Sequence, residues 1–144
     1  MRIALSVLLM LLAAACTGPV RSYGVYESKA ANTAEQVASS LATARLTVQA
    51  VSKGNVFGRT AAQTLAQAAD DAGSAQGTFE AIQPPGQRSD RLRDQLEELL
   101  DPAVSTLEDL RTAARRGDVD GLRQAGRPLL HLSSELDDFA EAHR

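Results

Sequence analysis

The stretch Ala30–Val51, AANTAEQVASSLATARLTVQAV, decides the fold. Ala30, Ala34, Val37, Leu41, Ala44, Val48 and Val51 recur at alternating spacings of 4 and 3. That is the period of one helix face, whereas a half-buried strand would repeat every second residue. Tyr26 and Tyr23 extend the line backwards, and Gly54 in Ser52–Asn55 supplies a residue that ends helices.

Working outward, three more segments carry the same signature. Ala61, Leu65, Ala68, Ala72, Ala75, Phe79 and Ile82 form the second line, with Thr60 and Gln63 as a capping box at its start and Gln83–Gln87 (QPPGQ) as its end. The third is Leu92, Leu96, Leu99, Ala103, Leu107, Leu110 and Ala114, with Asp90 and Asp94 near its start and Arg111, Arg115 and Arg116 near its end, as the helix dipole favours. Arg115–Val119 (RRGDV) reads as a tight turn, Gly117 closing one helix and Asp118 capping the next. The fourth line is Leu122, Ala125, Leu129, Leu132, Leu136, Phe139 and His143.

Four amphipathic segments with short links predict an all-α, up-down-up-down four-helix bundle over residues 25–144, with crossing angles near about 20°. Composition agrees: aromatic residues are 3% of the chain, so the core must rest on Leu, Val and Ala. Ala113–Ala125 has the look of a helical-repeat junction, but it occurs once and supports no solenoid. Pro102 and Pro128 fall inside the third and fourth lines, where each predicts a kink or a tight break in a continuous rod.

Ahead of the bundle, Arg2 and the apolar run Ile3–Ala15 have the form of a cleaved signal sequence. That run is too short to span a hydrocarbon core of about 30 Å. It leads into Ala13–Cys16 (AAAC), which holds the only cysteine and resembles the lipobox of bacterial prolipoproteins. Ala14 and Ala15 match the small residues of that pattern, while Ala13 stands where Leu is usual. The resemblance implies cleavage between Ala15 and Cys16, lipid on Cys16, and an extracytoplasmic protein held to a bacterial membrane. A disulfide would need a second cysteine. The expected organisation is a signal peptide over 1–15, a lipidated N-terminus and tether over 16–24, and the bundle thereafter. Thr17–Ser22, with Gly18 and Pro19, reads as a tether, and about six to nine such residues extend at most about 20–30 Å, which keeps the bundle near the membrane.

Loss of Arg2 leaves 14 basic and 18 acidic residues, a net charge of −4, so anionic lipid has no overall attraction for the chain and the anchor must hold it. There is no basic run interleaved with aromatics, which argues against nucleic acid as a partner. Catalytic, metal and cofactor signatures are missing. His131 and His143 are the only histidines, and neither has the Glu-x-x-His spacing of a bundle metal site, so both are expected at the surface or the terminus. Asp70–Asp71, Glu97–Glu98, Glu108–Asp109 and Asp137–Asp138 are sequence neighbours and read as solvated helix faces. The expectation is a non-enzymatic interaction or structural module with an unidentified protein partner. Leu46, Val56, Phe57, Leu100, Val104 and Leu130, apolar residues off the four lines, are its candidate contacts. The second expectation is a lipoprotein holding a small apolar ligand inside the bundle, near Pro102 and Pro128. An enzyme ranks third.

Overall fold

The computed structural model describes residues 22–54 and 58–144. They form α1 (Tyr23–Ser52), α2 (Gly58–Glu80), α3 (Gln87–Arg116), α4 (Val119–Ala125) and α5 (Leu129–Ala142). No strand occurs among the described residues. The fold is an all-helical four-rod bundle in which α4 and α5 together make the fourth rod. Ala15 and Cys16, with the rest of the signal-peptide and anchor reading, lie outside the described residues, as do Val56 and Phe57.

Pairs of residues across the seams give the helix directions. Tyr26 stacks on Phe79 with ring centroids 5.3 Å apart, and Thr43 shares a groove with Thr64, so α1 and α2 run oppositely. Arg111 meets Asp70 at 2.8 Å, Gln76 meets Asp101 at 2.8 Å, and Arg93 donates to the Glu80 carbonyl, so α2 and α3 run oppositely too. Along α5, His143 reaches Glu27 while Leu129 lies beside Val48 at the other end of α1. α1 and α3 each touch all four other helices.

The first two apolar lines hold. Ala30, Ala34, Val37, Leu41, Ala44 and Val48 are buried, as are Ala61, Leu65, Ala68, Ala72, Ala75 and Phe79. Because α1 has neighbours on several sides, Ala31, Ala38, Thr33 and Ser40 are buried as well. Seven of these twelve residues are alanine, and side chains that small let the backbones approach closely. Among the described residues the buried core runs from Tyr26 to Ala140.

Four local expectations need correction. Leu100, expected as an exposed contact, is fully buried, while Leu99 on the third line is only partly so. At 3.6 residues per turn the two flank the centre of that stripe by about 50° on opposite sides, so packing decides between them. Val104 is half-buried against the core. Thr60 is no cap, because α2 has already begun at Gly58. α1 begins at Tyr23, inside the stretch assigned to the tether, and Ser22 caps it by accepting from the Val25 N–H.

The turn between α3 and α4 forms as expected. Gly117 takes φ 67° and closes α3, its N–H bonding to the Ala114 carbonyl. Asp118 caps α4 by accepting from the Gly121 N–H at 2.8 Å. The two prolines behave differently. Pro102 sits within a continuous α3, where both it and Glu98, whose carbonyl it leaves without a helical donor, face solvent. At Pro128 the rod breaks: Gly126–Pro128 form a turn, and α5 starts at Leu129. Gly126 lies so close to α1 that a Cβ there would stand 3.1 Å from Val48 Cγ1 and 3.0 Å from the Leu122 carbonyl oxygen.

Candidate functional site

The break at Gly126–Pro128 creates a cleft against the last turns of α1. Its volume is about 360 Å³, and it opens to solvent on one side. Val48, Gly126 and Leu129 lie beneath it, Val48 9% exposed and Leu129 fully buried, so the apolar surface on offer is that of Leu130 and the aliphatic stems of the rim. Arg45, Lys53, Arg123 and Arg127 form a cationic rim. Among the described residues four large apolar side chains are exposed: Leu130 lines this cleft, and Leu46 lies outside its lining, three and seven residues before Gln49 and Lys53 on α1. Leu46 and Leu130 are each 61% exposed.

The rim is mostly free of internal partners. Arg123 pairs with Asp120 at 2.7 Å, whereas Arg45, Lys53 and Arg127 join no ion pair among the described residues. The nearby acidic groups have their own partners. Asp118 accepts from the Gly121 backbone, and Glu135 faces His131 at 3.5 Å.

This local charge belongs to a polarity along the whole rod. Residues 36–69 carry Arg45, Lys53 and Arg59 and no acidic residue. Residues 70–101, which pack beside the first half of α1, carry eight acidic side chains against three basic ones. The last stretch, 135–144, adds four acidic residues against Arg144. The bundle end holding the start of α1 is therefore acidic, and the opposite end, with the cleft, is basic.

A second groove runs along the α1–α2 seam, lined by Thr33, Gln36, Ser39, Ser40, Thr43, Gln67 and Asp71 among others. Its chemistry is largely self-contained. Thr33, Ser40 and Thr43 hydroxyls donate to carbonyls one turn back, as does Thr64, and Gln67 donates to Asp71 at 2.7 Å. Alanine-lined seams leave room for such short polar side chains at the rim, so this groove follows from close helix packing.

The acidic end holds a third cluster. His143 Nδ1 lies 3.0 Å from Glu27 Oε1, and the Tyr23 hydroxyl donates to the same carboxylate at 2.9 Å. Arg88 stacks over the Tyr23 ring at 3.8 Å, and Phe139 packs on His143 with centroids 4.5 Å apart. The hydrogen bond from His143 holds the Glu27 carboxyl below its ordinary value, with Tyr23 adding to it and burial opposing. Burial raises Tyr23 above the ordinary phenol value, and the bond to Glu27 adds to that. His143 is thus no free terminal residue, as the sequence suggested, but a clasp tying the end of α5 to the start of α1, reinforced by Arg144 on Glu35. His131 is exposed as expected. The adjacent acidic pairs are exposed or, like Asp70 and Glu108 on either side of Arg111, engaged in surface ion pairs.

Among the described residues no group of three or more His, Cys, Asp or Glu side chains converges as a metal site. No described helix is long and apolar enough to cross a membrane. Comparison with protein-family models, with curated proteins and with solved structures finds no significant match.

Proposed function

We propose that this chain is a lipid-anchored helical-bundle protein on the extracytoplasmic face of a bacterial membrane, working as a non-enzymatic interaction module. The observation that carries this reading is Cys16, a lone cysteine placed directly after an apolar h-region and the small residues Ala14 and Ala15. Diacylglyceryl on Cys16 supplies the two chains that stable attachment needs, where a single acyl chain binds only marginally. The charge polarity fits such an arrangement. The end of the bundle nearest the tether is acidic and gains nothing from anionic headgroups, so lipid alone holds the protein down. The basic cleft sits near Val48, about 40 Å along α1 from Tyr23, so on this reading it faces away from the membrane.

A second reading keeps the anchor and makes the protein a carrier of a small apolar ligand. What favours it is the cleft over Val48 and Leu129, which lies at Pro128, although it is an open groove beside the rods and not a chamber within them.

The test is membrane fractionation in a lipoprotein-processing bacterium, comparing the native sequence with Cys16→Ser. The native protein is expected in the membrane pellet and released by detergent, with the variant unprocessed or soluble. Equal solubility of both, with cleavage away from Cys16, removes the anchor and the reading with it.

A further inference from the structure

We propose that the cleft between the end of α1 and the α4–α5 break binds an anionic single-chain amphiphile, with its carboxylate or phosphate head on the cationic rim and its tail on the apolar surface beside it. This goes beyond the anchor and stands whether or not Cys16 is lipidated.

Size selects this class. A protein–protein interface needs about 800 Å² on each partner, far more than two exposed leucines and one short groove present. Small-ligand clefts begin at about 300 Å³, and this one measures about 360 Å³. Charge selects the head. Arg45, Lys53 and Arg127 ring the opening without internal ion pairs among the described residues, in a chain whose net charge is −3. Arg forks suit oxyanions bidentately. The apolar surface selects the tail. Leu130, 61% exposed, and the aliphatic stems of the rim side chains offer apolar surface over the buried Val48 and Leu129, and Gly126 adds no side chain to fill the groove. Leu46 prolongs the apolar edge along α1.

The test uses the chain from Ser22 onward, which holds every core residue among those described and whose folding is first established by a cooperative thermal melt. Isothermal titration below micelle concentrations compares dodecanoate and dodecyl phosphate with dodecyltrimethylammonium, the same tail bearing a cation. The same titrations follow in Arg45→Gln/Arg127→Gln and in Leu130→Gln, surface changes whose folding is checked by thermal melts. One anionic amphiphile is expected per chain, at least tenfold tighter than the cationic one. The better of the two anions identifies carboxylate or phosphate as the native head. The double variant should lose at least tenfold and Leu130→Gln several-fold. Equal binding of both head charges, affinity unchanged in the variants, or no saturable binding would each overturn the proposal. So would variant-sensitive binding confined to phosphatidylglycerol vesicles, which would make the cleft a membrane-surface contact.

Discussion

Gly→Ala at three positions should change stability in two opposite directions. Gly73 and Gly77 lie inside α2, and a Cβ added at either meets nothing within 4 Å. Alanine there relieves the entropy cost of a helical glycine and should stabilise by about 0.5–1 kcal/mol each. For a domain of this size that raises Tm by roughly 2–6 °C. Gly126 has an ordinary helical conformation, φ −76°, so alanine also recovers about 0.4–1 kcal/mol from the unfolded chain. Its Cβ, however, would stand 3.1 Å from Val48 Cγ1 and 3.0 Å from the Leu122 carbonyl. Val48 is β-branched and stiff, and overpacking of that kind costs about 1–3 kcal/mol. The net expectation for Gly126→Ala is a loss of about 0.5–2 kcal/mol, from the difference of those two terms. Removing Cγ1 should return part of it, so a cycle with Val48→Ala should show coupling of about 0.5–1.5 kcal/mol. Urea unfolding of the singles and the double measures all of this. If Gly126→Ala stabilises as Gly77→Ala does, or the cycle is additive, the α4–α5 break does not pack on α1 as described.

Other consequences are simpler to check. Leu100→Ala should cost about 2–5 kcal/mol by denaturant unfolding, and Leu99→Ala well under half as much, because only Leu100 is fully enclosed. Asp118→Ala should cost about 1 kcal/mol through loss of the cap on α4. The Glu27 clasp should shape the acid limb of stability. Its folded value is lowered, so its contribution is complete above the ordinary carboxylate value of 4.5 and disappears as pH falls through the folded value. Glu27→Gln should flatten stability against pH in that acid range. An unchanged acid limb would mean that His143 does not hold Glu27 in solution.

The repeating elements were legible because burial on a helix face imprints a period on the sequence. Twelve buried positions of α1 and α2, from Ala30 to Phe79, lie on the two lines drawn from spacing alone. Gly117 and Asp118 were legible because each turn role admits few residue types. Leu99 and Leu100 were not separable, since both are leucine and both sit equally far from the stripe centre. The Thr60 cap failed for a related reason: a capping pattern fits several starts, and α2 begins a half-turn earlier. The cleft was hidden more deeply. Arg45 and Lys53 belong to the first helix and Arg123 and Arg127 to the last, and only the antiparallel packing of those rods brings them together. The sequence did carry two hints, the Gly126–Pro128 break and the off-line leucines Leu46 and Leu130. The His143 clasp left almost no trace, because a histidine two residues beyond Glu141 gives no sign of a partner at Glu27.

The anchor at Cys16 is the central claim, and intact mass spectrometry of the protein purified from a lipoprotein-processing bacterium tests it most directly. The account predicts a chain beginning at Cys16 and carrying the added mass of a diacylglyceryl group. A chain that begins elsewhere, or Cys16 with no added mass, would contradict it.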